Sequence, residues 1–140
     1  MRFMMFMIPA VYQGGQKIEE GFAPSAEAVA AMTKYNEDLA NAGALISLDG
    51  LQPPSKGARV SFRAGKPTVT DGPFSETKEV LGGYWMIRAN SLEEAIAWAR
   101  RVPAADGDVV EVRQVFEMSD FPEDVRKAGE SAIVRDGIGR

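Results

Sequence analysis

The sequence predicts a single α+β domain, and three observations carry that prediction. The predicted elements follow the order β-α-β, then a β-hairpin, then β-α-β. One strand in each half carries apolar side chains that alternate onto both of its faces. A chain of 140 residues, of which 45% are apolar, is long enough to bury one hydrophobic core.

The first half begins with residues 2–8, an almost continuously apolar run that is typical of a central strand and ends at Pro9. The glycines and polar residues of segment 11–22 predict a loop. Ser25 is a good N-cap for the helix that follows, and Gly43 supplies its C-terminal stop. The predicted inward stripe of this helix comprises Val29, Met32, Asn36 and Leu39.

Residues 44–51 form the next predicted strand, which ends at a Pro-Pro pair. Segments 58–64 and 68–70 flank Gly65-Lys66-Pro67, and this pattern predicts a short hairpin. Residues 81–89 are predicted to form the strand that follows the hairpin.

A capping box starts the second helix, because the Ser91 hydroxyl can accept from the Glu94 amide while the Glu94 carboxylate reaches back. Residues 109–117 form the last predicted strand. The domain is therefore expected to span residues 1–118, with a charged C-terminal tail at 119–140. The side chains predicted to face inward from the second helix are Leu92, Ala95, Ala99 and Val102.

This order of elements is the ferredoxin-like plan with an inserted β-hairpin. Two helices can cover only one face of a four-stranded sheet. Yet Met4 and Phe6 alternate with Met5 and Met7 along the first strand, so both of its faces are apolar. An apolar sheet face without a cover usually marks an interface. The sequence therefore predicts a two-fold homodimer whose sheets pack against each other.

Composition argues against several classes of function. A formal net charge of −4 disfavours nucleic-acid binding, which needs clustered Lys and Arg. The chain has no cysteine and no histidine, and so it lacks thiolate nucleophiles, Ser-His pairs and the usual ligands of transition metals. We expect no cofactor and no tightly held metal. The apolar run at residues 3–8 is too short to span a bilayer and lacks a cleavage pattern, so we expect a cytoplasmic protein without a membrane partner.

The most specific stretch is residues 71–84, which read DGPFSETKEVLGGY. A turn of Asp-Gly-Pro-Phe leads into a dense charged cluster, and the pair Gly82-Gly83 then opens an apolar strand. A glycine pair in this position allows a ligand or a neighbouring backbone to approach closely, but a β-bulge is the favoured interpretation.

We predict a ligand-binding site that comprises Asp71, Glu76, Lys78, Glu79 and Tyr84, with Asp71 and Glu76 as the catalytic candidates. Asp71 either acts on a ligand or caps its own turn, and capping is the commoner role of Asp. Glu76 and its charged neighbours can divide acid and base roles, or they form an exposed salt-bridge cluster. The Tyr84 hydroxyl either faces a cavity or belongs to an interface aromatic.

The motif Asp71-Gly72-Pro73-Phe74, the charged cluster after it and Leu81-Gly82-Gly83-Tyr84 together resemble the DGPF branch of the YCII-related family. Further matches are Gly43-Ala44, Leu51-Gln52-Pro53, Glu93-Glu94-Ala95 with Trp98-Ala99, and Glu111-Val112-Arg113. The resemblance covers residues 2–118. It implies a dimeric α+β barrel, in which two ferredoxin-like subunits place their sheets face to face.

The resemblance implies less about chemistry. The wider family resembles small isomerases and dehydrohalogenating enzymes of aromatic breakdown, and some members use a His-Asp pair. That mechanism cannot operate in a chain without histidine. Haem-binding members of the barrel superfamily use an axial histidine, which argues against haem here. DGPF proteins are often associated with extracytoplasmic-function sigma factors.

Three functions stay open on this basis. The first is a homodimer that binds a small molecule near residues 71–84, without established catalysis. The second is an isomerase, lyase or cofactor-free oxygenase that uses carboxylates on a small aromatic or lactone-like acid. The third is a regulatory protein that acts by protein contact and is linked to those sigma factors.

Glu111 and Arg113 are two residues apart in the last strand, so they lie on one face of it. There they either line the cavity as a charged pair or form a pair at the sheet surface.

Overall fold

The computed structural model describes residues 1–14, 23–72 and 79–138. The strands in these ranges are β1 (Arg2–Ile8), β2 (Leu45–Gly50), β3 (Ala58–Arg63), β4 (Lys66–Asp71), β5 (Gly83–Arg88) and β6 (Val109–Gln114). The helices are α1 (Ala26–Asn41), α2 (Leu92–Ala99), α3 (Glu123–Ala128) and α4 (Ala132–Gly137). The predicted mixed α and β architecture is confirmed.

Four of the strands form one antiparallel sheet in the order β2-β5-β1-β6, with β1 and β5 at its centre. This strand order is compatible with the ferredoxin-like plan. Strands β3 and β4 pair with each other as a separate two-stranded sheet, which is the inserted hairpin.

The core lies between one face of the four-stranded sheet and helices α1 and α2. Alternate side chains of the central strands point into it and are almost fully buried: Phe3 (1% exposed), Met5 (0%), Trp85 (5%) and Ile87 (0%). Tyr35, Leu39 and Ala95 pack against them from the helices. The Trp85 Nε1 donates to Asn36 Oδ1 at 2.8 Å, and the Tyr35 hydroxyl donates to the Trp98 carbonyl at 2.9 Å. The polar atoms of the core aromatics are thus hydrogen-bonded, as burial requires.

The ends of α1 and α2 agree with the caps predicted from the sequence. The hydroxyls of Ser25 and Ser91 each accept a backbone amide of the first turn at 3.1 Å, so both predicted N-caps are confirmed. The Glu94 carboxylate accepts from the amide of Asn90 at 2.9 Å, one residue before the N-cap. Gly43 follows α1 with a φ of 71°, a left-handed conformation that glycine adopts without strain.

The predicted inward stripes are wrong at one position in each helix. Val29 is 49% exposed, and Tyr35 replaces it on the buried side of α1. The buried residues of α1, Tyr35 and Leu39, both lie in the second half of the helix. Leu92 is 46% exposed, because it lies at the first position of α2 and lines an open groove beside β6.

The hairpin turn lies earlier than predicted. Ala64 and Gly65, with φ values of 52° and 77°, form the turn, and Lys66 and Pro67 belong to β4. Two consecutive residues with positive φ are typical of a tight two-residue hairpin. The sequence favoured a longer turn because a proline normally interrupts a strand, but β4 has a strand on one side only and tolerates it.

The interpretation of Gly82-Gly83 as a β-bulge is also wrong. Gly83 pairs in regular register in β5, and the register shift of this sheet lies in β2 instead. A Cβ on Gly83 would lie 2.9 Å from the carbonyl oxygen of Asp49, and a Cβ on Gly82 would lie 2.6 Å from the Pro9 ring. The glycine pair therefore serves the close approach of neighbouring parts of the chain.

Candidate functional site

Two of the predicted site residues, Glu76 and Lys78, lie outside the described residues. Asp71 is exposed at the end of β4, Glu79 is exposed, and Tyr84 is half-buried in β5. Asp71 thus belongs to the hairpin and Tyr84 to the four-stranded sheet. In the described ranges, no hydrogen bond or ion pair links the side chains of Asp71, Glu79 and Tyr84.

The glycine that follows Asp71 has a packing role. The Gly72 amide donates to the Gly57 carbonyl at 3.1 Å. A Cβ on Gly72 would overlap the carbonyl oxygen of Pro54, so only glycine fits at this point. Part of the Asp-Gly-Pro-Phe motif therefore closes the base of the hairpin against the short turn Pro54–Lys56.

The sheet face opposite the core carries a polar and aromatic surface that spans all four strands. One row across β2, β5, β1 and β6 comprises Asp49, Tyr84, Phe6 and Glu111. The next row comprises Ser47, Met86, Met4 and Arg113, and beyond it Arg88 lies opposite Arg2. Residues directly opposite in antiparallel strands share a face, so these ten side chains form one surface, which we call the open face.

One end of the open face is built around a tyrosine and a carboxylate. The Tyr84 hydroxyl donates to Asp49 Oδ2 at 3.1 Å, which fixes the direction of the phenol. Glu111 lies in the same row, and its Oε2 is 4.0 Å from Arg113 Nη1. The predicted alternation of Glu111 and Arg113 onto one face is confirmed, and they form a long ion pair. No sequence pattern points to Asp49, because only the register of β2 against β5 brings it to Tyr84.

The other end of the open face is basic. Arg2 and Arg88 lie directly opposite each other, an arrangement in which like charges repel. The Arg2 guanidinium donates to both carboxylate oxygens of Glu117, at 2.7 and 3.1 Å. This hydrogen bond raises the pKa of Arg2 and lowers the pKa of Glu117. Arg88 is exposed and takes part in none of the ion pairs among the described residues.

Three apolar side chains, Met4, Phe6 and Met86, are half-buried between the two ends. The row of Arg2 lies four residues along β1 from the row of Phe6, a distance of about 13 Å for an extended strand. Methionine adapts its shape to flat apolar groups and makes favourable contacts with aromatic rings. The open face therefore places half-buried apolar side chains between two rows of polar and charged groups.

A glutamine holds the chain beside the Tyr84 end of this sheet. The Gln13 amide nitrogen donates to the carbonyls of Pro9 and Val80 at 2.7 and 3.0 Å, and its oxygen accepts from the Val80 amide at 2.9 Å. The Tyr12 hydroxyl donates to the Leu51 carbonyl at 3.0 Å, and burial raises its pKa. These contacts fix the segment between the charged cluster and β5. No sequence signal pointed to Gln13.

The described residues also bear on metals and membranes. Across these ranges, the structure places no group of three or more carboxylates where they could share a metal ion. The absence of a bound metal or cofactor stays a prediction. None of the helices in the described part of the chain is both long enough and apolar enough to cross a bilayer.

Comparison with known proteins places this architecture in context. Residues 1–119 match the YCII-related domain. An uncharacterized protein of Rhizobium meliloti (strain 1021) is 40% identical over 77 residues, which are 55% of this chain. The matched part is 59% of that relative, so the chain covers less than two thirds of its length.

Proposed function

The chain belongs to the YCII-related domain family, and from this premise we propose that it is a homodimer that binds a small carboxylate-bearing molecule on the open face. The observation that carries the proposal is the polarity of this face. It is basic at Arg2 and Arg88 and acidic at Asp49 and Glu111, and the row between them places Met86 and Met4 beside Ser47 and Arg113. The motifs at residues 71–74 and 81–84 support placement in the DGPF branch, and with it a dimeric α+β barrel.

The dimer is supported by the half-buried apolar side chains at the centre of the open face. Neither α1 nor α2 covers them, because both helices pack on the opposite face. A second copy placed sheet to sheet would exclude water from Met4, Phe6 and Met86 and enclose a cavity between the two faces. Light scattering at micromolar concentration should then give twice the chain mass of 15.2 kDa. A monomer mass would contradict the dimer and the barrel.

The ligand class follows from the chemistry of the two ends. A guanidinium binds a carboxylate through two parallel hydrogen bonds, and Arg88 has no carboxylate partner among the described residues. At the other end, Asp49 and Glu111 repel a second anion, while the Tyr84 oxygen can accept from a ligand hydroxyl. We therefore expect one carboxylate at the Arg88 end, an apolar ring over Met86 and a neutral polar group near Tyr84.

Thermal shift and calorimetry test the ligand class. Small aromatic carboxylates, such as hydroxybenzoates, should raise the Tm, and their uncharged amides should not, because a ligand of the native state stabilises it. Replacing Arg88 by Gln should weaken binding by at least about tenfold, or 1.4 kcal/mol. The matched control is Arg63→Gln, which removes an exposed arginine from the hairpin. Equal affinities of Arg88→Gln and the parent protein would overturn the proposed site.

Other predictions from the sequence remain proposals. A carboxylate-based isomerase, lyase or oxygenase would use the same face, and conversion of a bound aromatic acid would identify it. A regulatory protein linked to extracytoplasmic-function sigma factors would instead bind a protein partner without a small ligand. The ligand-binding roles of Asp71, Glu76, Lys78 and Glu79 are tested by Glu76→Gln, which should weaken binding if that cluster contributes. The cytoplasmic location stays a prediction.

A further inference from the structure

The two edge strands of the four-stranded sheet differ in regularity. Strand β2 forms one edge, and its register against β5 shifts between Leu45 and Ser47. Strand β6 forms the other edge, and its register against β1 is unbroken from Val109 to Gln114. Its sequence, VVEVRQ, contains neither proline nor lysine. A regular edge without a bulge, a proline or a lysine is a template on which another strand can pair.

Alternate residues of β6 direct their backbone groups away from β1. The Val115 amide donates to the Arg2 carbonyl at 2.9 Å, and in an antiparallel ladder such pairs recur at every second residue. The residues whose amides and carbonyls point outwards are therefore Val110, Val112 and Gln114. In the described part of the chain, no strand pairs with this side of β6 and no hydrogen bond reaches these groups. We call this side the β6 edge.

The charges of β6 select one register for the pairing of two such edges. An antiparallel pair with its two-fold axis at Glu111 or at Arg113 places two like charges directly opposite each other, which is unfavourable. With the axis at Val112, Glu111 of each protomer lies opposite Arg113 of its partner. That register also pairs Val110 with Gln114, so all the outward backbone groups of both strands are used.

The side chains of Glu111 and Arg113 are available for this contact. Within one chain their ion pair is long, at 4.0 Å, and the two side chains are exposed by 46% and 72%. Directly opposite residues of a non-hydrogen-bonded antiparallel pair have Cα atoms about 4.5 Å apart, which suits oppositely charged side chains. Opposite charges in an interface fix its register more than they add to its affinity.

An apolar groove follows the same edge on the helix side of the sheet. Its volume is about 580 Å³, and its apolar lining includes Leu92 and Ile96 of α2 with Val110 and Val112 of β6. Leu92 is 46% exposed and Ile96 is 38% exposed. A two-fold axis perpendicular to the sheet keeps the α2 helices of both protomers on the same side. Pairing at the β6 edge therefore brings the two grooves together, where apolar surface can be removed from water.

We propose that two copies of this chain pair through their β6 edges, about a two-fold axis at Val112, into one continuous eight-stranded sheet. The contact is isologous and closes on itself. It uses the edge of the sheet, so it is separate from the open-face dimer proposed above and does not depend on it. The paired strands meet only along residues 110–114, so the contact is smaller than that of a whole sheet face and forms at higher protein concentration.

A proline on the β6 edge tests the pairing. Gln114→Pro removes an outward amide and places a ring in the path of the partner strand, while the ladder to β1 keeps its hydrogen bonds. The matched control is Gln114→Ala, which loses the same exposed side chain and keeps the amide. Light scattering is recorded from micromolar to millimolar concentration. We expect the mass of the parent protein and of Gln114→Ala to double over this range, and that of Gln114→Pro to stay constant.

Charge reversal tests the register. Arg113→Glu places two carboxylates opposite each other on either side of the axis at Val112, so it should prevent the doubling of the mass. The double variant Glu111→Arg, Arg113→Glu restores opposite charges in that register and should restore the doubling. Both residues also lie on the open face, so each variant is first compared with the parent protein at micromolar concentration, where the masses should agree.

The outcomes separate this inference from the proposed function. Equal masses of Gln114→Pro and Gln114→Ala at every concentration would overturn the edge pairing, and a constant dimer mass would leave the open-face dimer standing. A doubling that starts from a monomer would support the edge pairing and reject the open-face dimer.

The register at Val112 has its own contrary results. It is overturned if Arg113→Glu still doubles its mass, or if the double variant does not recover what the single variant loses. Thermal melts at micromolar concentration check that every variant is folded. Should Gln114→Pro fail to fold, the comparison of the two charge variants decides the pairing, because an unspecific loss of stability would not be rescued by a second charge reversal.

Discussion

The two faces of the four-stranded sheet are built from similar residues and differ in what covers them. On the covered face, Met5 and Ile87 are fully buried beneath the helices. On the open face, their chain neighbours Met4 and Met86 are half-buried. Both pairs come from the same two central strands and differ only in the direction of their side chains.

This contrast indicates why β1 is apolar at every position after Arg2. A strand with one solvated face usually alternates apolar and polar residues, whereas a strand with two buried faces does not. The covered face has its partners within the chain, and its polar atoms are paired with one another, as Trp85 is with Asn36. The open face carries charged residues in each of its three rows, around the half-buried Met4, Phe6 and Met86. One face therefore stabilises the fold, and the other is the face on which the dimer and the ligand are proposed.

The largest expected effect comes from breaking the covered face. Ile87→Ala should lower the free energy of unfolding by about 2 to 5 kcal/mol, because it leaves a cavity in a fully packed site. Met86→Ala removes the neighbouring side chain from the open face and should lower the free energy of unfolding by about 1 kcal/mol in a dilute sample. Urea unfolding of both variants gives the comparison.

Protein concentration sharpens the same comparison. If a second copy covers the open face, Met86→Ala should lower the free energy of unfolding more at higher protein concentration, since dimerisation adds to the stability of the parent protein. The loss of unfolding free energy caused by Ile87→Ala should not depend on protein concentration. A Met86→Ala variant as destabilised as Ile87→Ala at every concentration would show that a single chain already covers both faces.

A smaller effect is expected from the polar contact inside the covered face. Asn36→Ala removes the acceptor of the Trp85 indole, which is 5% exposed and cannot turn to water instead. Leaving this donor unpaired should cost about 1 to 3 kcal/mol in thermal or urea unfolding. Asn41→Ala, at the exposed end of the same helix, should change stability by less than about 0.5 kcal/mol. Equal effects would mean that the indole finds another acceptor.

The parts of the fold that local chemistry decides could be predicted from the sequence. Ser25, Ser91 and Gly43 begin or end helices through contacts with residues a few positions away, and all three predictions are confirmed. The hairpin turn was misplaced because Ala64 adopts a positive φ that a sequence pattern assigns to glycine.

The candidate site depends on contacts that no local pattern contains. Asp49 meets Tyr84, and Arg88 meets Arg2, only through the register of strands that lie far apart in the chain. A slip of one residue would move each side chain to the other face, so alternation alone could not pair them. Exposure of Val29 and Leu92 likewise follows from where the helices lie on the sheet, which helix periodicity does not specify.

Alkaline pH should act on the covered face. Burial raises the pKa of Tyr35 to about 12, above the value near 10 of an exposed tyrosine. The stability that the neutral phenol provides is therefore complete below pH 10 and is lost as the pH rises towards 12. Tyr35→Phe should lower the free energy of unfolding by about 1 kcal/mol at pH 7, because the Trp98 carbonyl loses its hydrogen-bond donor. It should also flatten the fall of the Tm between pH 9 and 11.5.

Acid should act on the basic end of the open face, with the smallest effect on stability. The hydrogen bond from Arg2 lowers the pKa of Glu117, so its contribution is present above the unfolded pKa and is lost as the pH falls through the folded value. Glu117→Gln should lower the Tm slightly at pH 7 and leave it unchanged once the pH is below the folded pKa of Glu117, with Glu130→Gln as an exposed control. The same variant frees Arg2 beside Arg88, so an aromatic carboxylate should bind a few-fold more tightly. Weaker binding by Glu117→Gln would show that this carboxylate orients Arg2 for the ligand instead of competing with it.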